Sequence, residues 1–240
     1  MGEINIAKWT SDWASQTQTS YWFENTTTST NDVAKQEFLR INEPLKLYVC
    51  GFQTAGRGRD NNTWVTPAEN ASLLCSWSLA MVSPPQHISA PRLGLGLFQS
   101  AQQTWPQIDF NLKAPNDLYI GSKKVAGLLL ESQSQGASHR LIVGIGFNVA
   151  SHPEQIPEST HLGEFHSTLS ELEWTQFLSA LKHEIIDAQK DCLHPHLGDG
   201  PRRRLLEALN KHPLLSEPYI DISEHADLVT GSGIVPWATL

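Results

Sequence analysis

The sequence predicts an α+β fold built on a mixed sheet. Short runs rich in β-branched and aromatic residues are interspersed with segments of helical periodicity, and this order is typical of that class. The 240 residues suffice for one large domain, or for one domain with a small appendage. With 40% hydrophobic and 18% charged residues, the composition is that of a globular protein rather than a disordered one.

The first half of the chain is predicted to begin with a polar and aromatic lead-in. Its predicted elements are a strand or irregular segment (1–28), a capped helix (28–40), two strands (45–52 and 71–82) and a second helix (89–105). Ser29, Thr30 and Asn31 are favourable N-cap residues for the first of these helices. Pro91 fits the first turn of the second helix, although glycines at 94 and 96 lower its propensity.

The second half continues with a hairpin and ends in two helices and a tail. Its predicted elements are two strands joined by a Gly-Ser turn (117–120 and 125–132), a strand (139–150), two helices (170–193 and 200–212) and short strand-like pieces (213–240). The first of these two helices carries its apolar residues on one face: Leu172, Phe177, Leu178, Leu181, Ile185 and Ile186. The tail is too short for an independent core, so we predict a main domain at 1–212 and a short C-terminal β segment at 213–240.

Charge and cysteine content exclude several classes of protein. A formal net charge of −8 argues against a general nucleic-acid binder, which would carry a basic face. Cys50, Cys75 and Cys192 are odd in number and far apart, so they predict buried or half-buried free thiols. No apolar run approaches the ~20 residues of a membrane span, and the N-terminus lacks the features of a signal peptide. We therefore expect a cytoplasmic protein that does not enter a membrane.

The loop "QTAGRGRDNNTW" (53–64) contains residues that suit an anionic ligand. Gly56 and Gly58 allow close backbone approach, and Arg57 and Arg59 match phosphate or carboxylate oxygens. Trp64 offers a stacking face. Taken alone, the loop is equally compatible with a surface turn that binds nothing.

Two further segments carry candidate residues. In "KAPNDLYIGSKKVAGLLLES" (113–132), Lys124 begins a strand and Gly127 leaves space above the sheet, but a lysine pair at a hairpin turn is also common as a solvated feature. In "VGIGFNV" (143–149), two glycines mark a bulge or a close contact, and Asn148 supplies a polar group. The ten histidines show no catalytic arrangement and are interpreted as surface or core residues.

Together these segments closely resemble one family. The "STN" segment (29–31), the Gly-Arg-rich loop, the hairpin and the glycine strand occur in the order and at the separations found in biotin protein ligases, the biotin–[acetyl-CoA-carboxylase] ligases. The resemblance covers about residues 23–150. It implies the class II aminoacyl-tRNA synthetase/biotin ligase-like fold, with a mixed, largely antiparallel sheet, helices packed on it and a reduced SH3-like C-terminal segment.

The resemblance also assigns roles to residues. The positions implied for biotin are Ser29, Thr30, Asn31, Gln53, Gly56, Arg57, Lys124, Gly127, Leu128 and Leu129. Those implied for ATP and the adenylate are Arg57, Gly58, Arg59, Trp64, Asn116, Asp117 and Asn148, with Asp117 beside Mg²⁺. Lys124, Arg57 and Arg59 are the implied catalytic cations.

The implied reaction has two steps and needs no protein nucleophile. Biotin and ATP form biotinyl-5′-AMP, and a lysine of a biotin carboxyl carrier protein, a subunit of acetyl-CoA carboxylase, then accepts biotin. The resemblance is to the monofunctional form without an N-terminal DNA-binding domain, so no DNA binding is expected. A homodimer is compatible with the family.

Two departures keep alternatives open. Ala114 replaces the family's usual tryptophan, and Asp60 stands where relatives continue with basic residues. A lipoate or octanoate ligase or transferase shares the fold, and a non-catalytic biotin-binding relative would tolerate both changes. The Gly-Arg-Gly-Arg loop and the Pro-Asn-Asp segment favour biotin.

Overall fold

The structure is a computed structural model that describes residues 4–240, apart from the side chain of Asn61. The helices are α1 (Ile6–Gln16), α2 (Thr30–Gln36), α3 (Ser89–Thr104), α4 (Glu171–Asp191) and α5 (Asp199–Asn210). The strands are β1 (Tyr21–Thr27), β2 (Leu45–Gln53), β3 (Ser72–Met81), β4 (Phe110–Lys113), β5 (Asp117–Ile120), β6 (Lys123–Gln135), β7 (Ser138–Asn148), β8 (Asp221–Ile222), β9 (Leu228–Thr230) and β10 (Gly233–Val235).

The chain divides into two compact units. Unit 1 consists of Met1–Pro84 and Val125–Leu178, and unit 2 of Pro85–Lys124 and Ser179–Leu240. Strand β6 and helix α4 each contain one of the boundaries. The sequence predicts a domain boundary after residue 212. The division into compact units does not test that boundary, so it stays a prediction.

Unit 1 is built on a mixed, largely antiparallel sheet, which confirms the predicted fold class. Its strands lie in the order β1-β2-β3-β7-β6. β1 pairs with β2 in parallel, and the other neighbours are antiparallel. Strand β3 is buried almost throughout, as expected for an apolar central strand.

The prediction of a strand or irregular segment over residues 1–28 is wrong for residues 6–16, which form helix α1. Among the described residues of this range, a strand is present only at β1. The buried residues of α1 recur with helical spacing: Ile6, Ala7, Thr10, Trp13 and Ala14. Asn5 caps the helix by accepting a hydrogen bond from Lys8 N at 2.8 Å. Trp13 packs edge-on against Trp77 of β3, with ring centroids 6.1 Å apart.

Unit 2 contains α3, the antiparallel pair β4–β5, α5 and a small three-stranded sheet of order β10-β9-β8. The Gly121–Ser122 turn follows β5, and Gly121 has φ 56°, the left-handed conformation that primed hairpin turns require. The sequence missed β4 and β9, which are four and three residues long. So short a strand gives little periodic signal.

Helix α4 confirms its prediction but not all of its predicted face. Phe177, Leu181 and Ile185 are buried, whereas Leu172 is 68% exposed and Ile186 is 37% exposed. The buried stripe instead continues through a tryptophan at 174 and an alanine at 188. The three cysteines are buried free thiols, as predicted. None of the helices between residues 4 and 240 is long and apolar enough to cross a bilayer.

Candidate ligand-binding site

A hydrogen-bonded polar cluster lies where α2 begins, on the sheet of unit 1. Gln53, at the end of β2, accepts a hydrogen bond from Thr30 N at 2.8 Å and from Thr30 Oγ1 at 3.3 Å. Ser76 of β3 donates to Asn31 Oδ1 at 2.5 Å and lies 2.7 Å from Thr30 Oγ1. Ser29 is the N-cap residue of α2 and is buried. The structure thus brings Ser29–Asn31 and Gln53 together, although they are more than 20 residues apart in sequence.

Asn31 connects this cluster to β6. Its Nδ2 donates to Leu129 O at 3.3 Å and to Glu131 Oε2 at 2.8 Å. Because the amide is held at both ends, its orientation is fixed. The predicted residues Gly127 to Leu129 lie on the same strand, and Gly127 pairs directly with Gly146 of β7.

The two glycines of β7 are explained by close contacts. A Cβ on Gly144 would overlap the side-chain amide of Asn31, and a Cβ on Gly146 would overlap the indole of Trp64. The Trp64 ring therefore lies directly on the backbone of β7. The sequence left open whether these glycines mark a bulge or a close contact, and the structure shows close contacts. The two side chains that pack on them, Asn31 and Trp64, are both predicted ligand residues.

The Gly-Arg-rich loop is a small hairpin rather than an irregular turn. Arg57 and Thr63 form an antiparallel bridge, Trp64 N donates to Gly56 O at 3.0 Å, and Gly58 N donates to Asn62 O at 2.7 Å. Gly56 packs tightly against the backbone of Trp64, which leaves no room for a Cβ.

Asp60 occupies the tip of this hairpin in a left-handed conformation, with φ 52° and ψ 40°. Aspartate tolerates this region better than most non-glycine residues. The side chain is exposed, and Arg59 beside it is half-buried. Among the residues whose side chains the structure describes, Asp60 forms no ion pair.

Arg57 lies in a four-charge cluster at the base of the hairpin. Its Nη2 is 2.7 Å from Asp32 Oδ1 and 2.7 Å from Glu131 Oε2. Lys35 Nζ is 2.9 Å from Glu131 Oε1 and 3.2 Å from Asp32 Oδ1. Two cations thus face two carboxylates, so the cluster has no net charge.

The electrostatics of Glu131 follow from its partners. Burial alone would raise the pKa of Glu131, but hydrogen bonds from Arg57, Lys35 and Asn31 outweigh it and lower the pKa to about 2. The same contacts, led by the hydrogen bond from Glu131, raise the pKa of Arg57 despite partial burial. Glu131 and Arg57 are therefore both ionised near neutral pH.

Asn148 lies at the end of β7 and is 3% exposed. Its Nδ2 donates to Thr160 O at 3.1 Å. Its Oδ1 is buried, and no partner for it lies within the described part of the chain. A buried acceptor without a donor costs free energy, so this oxygen is suited to a donor on a ligand.

Unit 2 carries the remaining predicted residues. Lys124 Nζ lies 2.8 Å from Asp117 Oδ1 and is about one-third exposed. Asn116 and Asp117 line a small cavity together with Ala114, Gly94 and Trp237. Trp237, which lies among the last residues of the printed sequence, lines the same cavity as Ala114.

Sequence reasoning missed several residues that position the predicted ones. Ser76, Asp32 and Glu131 contact predicted residues directly, and Lys35 contacts the carboxylates of Asp32 and Glu131. A signal was available for three of them. Ser76 is a polar residue inside an otherwise apolar buried strand, and Asp32 and Lys35 are spaced i, i+3 on one helix face.

Comparison with known proteins places the chain in a family. The chain is 33% identical over 118 residues to the bifunctional ligase/repressor BirA of Bacillus subtilis, covering 47% of this chain and 35% of that protein. It is 36% identical over 110 residues to a biotin–[acetyl-CoA-carboxylase] ligase of Paracoccus denitrificans, covering 42% of this chain and 43% of that protein. The chain thus spans less than half the length of these curated relatives.

Solved structures establish the fold. Biotin protein ligase from Aquifex aeolicus in complex with biotin and ATP aligns with a TM-score of 0.67 at 23% identity, covering 90% of this chain and 94% of that one. The chain therefore has the α+β fold of the biotin protein ligases. A family model for the biotin/lipoate A/B protein ligase family matches residues 22–148, and the chain belongs to that family.

Proposed function

We propose that the chain is a biotin protein ligase. It activates biotin with ATP to biotinyl-5′-AMP and transfers biotin to a specific lysine of a biotin carboxyl carrier protein of an acetyl-CoA carboxylase. The observation that carries the proposal is the polar cluster of Thr30, Asn31, Gln53 and Ser76. Four hydrogen-bonding side chains beside the hairpin of residues 56–64 suit a ligand with a polar ring, such as the ureido ring of biotin.

Activation joins two anions, the biotin carboxylate and the α-phosphate of ATP. Lys124, Arg57 and Arg59 supply positive charge that stabilises the charge developing in the transition state. The hairpin of residues 56–64 excludes water from the mixed anhydride, which water would hydrolyse. We assign Trp64 and Asn148 to the nucleotide, and Ser29 and Gly127 to Leu129 to biotin.

Arg57 must exchange a partner to act on the ligand. Its guanidinium is held by Asp32 and Glu131, each at 2.7 Å. Lys35 contacts both carboxylates as well, so one cation stays beside them when Arg57 turns away and the three remaining groups carry a net charge of −1. The cluster therefore provides a resting position for the proposed catalytic arginine.

Asp117 and Asn116 fit a magnesium-nucleotide complex. Mg²⁺ prefers one or two carboxylates together with substrate phosphates, and Asp117 offers one partly exposed carboxylate. When bound, Mg²⁺ neutralises charge on the phosphates of ATP. Asp117 also holds Lys124, which orients the ammonium group before the ligand arrives.

The second candidate is a lipoate or octanoate ligase or transferase of the same family. The polar cluster at Thr30 and Asn31 favours biotin, because a lipoyl or octanoyl chain has no ring amide to pair with it. Titration calorimetry with biotin and with lipoate separates the two. We expect measurable binding of biotin and weaker binding of lipoate, and tighter binding of lipoate would overturn the assignment.

The organisation of the whole molecule is part of the proposal. Residues 1–212 are proposed as the catalytic domain, and the segment 213–240, which contains β8–β10, as a reduced C-terminal β segment. We propose no role in DNA binding. A homodimer remains a prediction, which light scattering at several protein concentrations tests.

A further inference from the structure

Two histidines and a glutamate meet in the segment that follows β7. His152 Nδ1 lies 2.9 Å from His161 Nδ1, and Glu164 Oε1 lies 3.3 Å from the first and 3.4 Å from the second. All three residues belong to unit 1. None of them takes part in the polar cluster or the charged cluster described above.

The three atoms have the spacing of ligands around a metal ion. In a tetrahedral Zn²⁺ site with metal–ligand distances of about 2.0–2.2 Å, neighbouring ligand atoms lie roughly 3.3–3.6 Å apart. Two of the three separations match, and the nitrogen pair needs to widen by a few tenths of an ångström. The three atoms lie about 1.9 Å from a common centre, so an ion just above their plane reaches all three.

The surroundings hold these side chains in place. Thr160, which is fully buried, donates from Oγ1 to Glu164 Oε2 at 2.8 Å and so fixes the carboxylate through its other oxygen. The His161 ring packs on Gly163, whose N donates to Val149 O at 2.9 Å.

We propose that His152, His161 and Glu164 bind one divalent transition-metal cation, best matched by Zn²⁺, with water as the fourth ligand. Two imidazoles and one carboxylate suit Zn²⁺ and its neighbours, whereas Mg²⁺ prefers oxygen ligands alone. The side chains are 21%, 21% and 34% exposed, so the fourth position is open to solvent. The site is distinct from the magnesium position proposed at Asp117.

The bound ion would influence Asn148, the residue assigned to the nucleotide, through Thr160. The Thr160 carbonyl accepts the hydrogen bond from Asn148 Nδ2, and the Thr160 hydroxyl holds Glu164. Fixing residues 152–164 on the end of β7 therefore fixes the orientation of the Asn148 amide. In the proposed function Asn148 contacts the nucleotide, whereas His152, His161 and Glu164 are positioning residues that act on Asn148 through Thr160.

A second cluster of similar composition provides the control. His196, Glu224 and His225 lie in unit 2, with His-to-Glu separations of 3.7 Å and side chains 48–60% exposed. These wider contacts between exposed side chains are typical of a surface charge cluster. His225→Ala should therefore leave metal binding at the proposed site unchanged.

The test uses the full chain without an affinity tag, freed of metal and titrated with Co²⁺ and then with Zn²⁺. We expect one Co²⁺ per chain with the intense visible absorption of four-coordinate Co²⁺, displaced by Zn²⁺ and not by Mg²⁺. His161→Ala should abolish this absorption and His225→Ala should retain it. Thr160→Val should weaken Zn²⁺ binding by about 10–100-fold, as loss of an outer-shell hydrogen bond does.

Three results would overturn the proposal: no stoichiometric Co²⁺ binding by the wild type, retention of the absorption in His161→Ala, or its loss in His225→Ala. Circular dichroism shows whether each variant is folded. If His161→Ala is unfolded, Thr160→Val decides, and unchanged affinity in that variant contradicts the site. The measurement needs no ligase activity, so its outcome is independent of the proposed function.

Discussion

Lys124 is the residue on which the proposed chemistry depends most. Its ammonium group lies 2.8 Å from Asp117, and removing it takes away a charge that stabilises the transition state. We expect Lys124→Ala to slow biotin-dependent pyrophosphate release by about 100–1,000-fold, as loss of one such stabilising group does. The neighbouring Lys123→Ala, on an exposed side chain, is the matched control. Near-normal release by Lys124→Ala would remove Lys124 from the mechanism.

Asp60 reduces the positive charge of the hairpin at residues 56–64. The backbone of Asp60 is left-handed, a conformation that asparagine tolerates and arginine disfavours. Asp60→Asn therefore removes the charge without straining the turn. We expect Asp60→Asn to slow escape of biotinyl-AMP about 2–5-fold at low salt, the scale of one exposed charge contact. Rapid filtration of the preformed adenylate complex measures this. An unchanged rate would mean that Asp60 only shapes the turn.

Glu131 links the charged cluster to stability. Its pKa in the folded chain is about 2, below that of an unpaired glutamate, so its stabilising contribution is complete above about pH 4.5. The contribution is lost as pH falls from there toward 2, because the folded chain must then take up the proton. Glu131→Gln should lower the free energy of unfolding at pH 7 by about 1–2 kcal/mol, since partial exposure screens part of the full effect.

Urea unfolding of Glu131→Gln and wild type at pH 7, 4 and 3 checks this prediction. The difference between them should shrink as the pH falls. Glu69→Gln changes an exposed carboxylate and serves as the control. A difference that is constant across this pH range would show that the cluster contributes through packing rather than charge.

At the scale of elements, helix α3 contains two glycines in different surroundings. A Cβ on Gly94 meets nothing within 4 Å, whereas a Cβ on Gly96 would lie 3.1 Å from Glu184 Cβ of α4. Gly94→Ala should therefore stabilise the chain by about 0.5–1 kcal/mol through reduced backbone freedom. Gly96→Ala should gain less or destabilise, since α4 must shift. Equal gains in thermal unfolding would contradict the close approach of the two helices.

The elements differ in how far the sequence could predict them. Long segments with clear periodicity, such as β3 and α4, were predicted close to their observed bounds. Helix α1 was missed because its buried face contains Thr10 and small alanines, which carry little hydrophobic signal, beside bulky tryptophans that suggest a strand. The residues Leu172 and Ile186 were misplaced because apolar residues also occur singly on surfaces.

At the scale of the whole molecule, the sequence predicts those site residues whose type alone indicates their chemistry. Arginines, a lysine and glycines in ordered segments indicated an anionic ligand. Asp32 and Glu131, which hold Arg57, could not be predicted, because pairing across 25 and 74 residues depends on tertiary structure. The same holds for the histidines at 152 and 161, which sequence reasoning interpreted as surface or core residues and which the fold brings into contact.

We propose that this chain transfers biotin to a protein lysine. The most direct measurement is mass spectrometry of a biotin carboxyl carrier domain incubated with the chain, biotin, ATP and Mg²⁺. We expect a mass gain of one biotinyl group on a single lysine, which requires both biotin and ATP and is strongly slowed by Lys124→Ala. No gain with biotin, or a gain with lipoate in its place, would contradict the proposed biotin transfer.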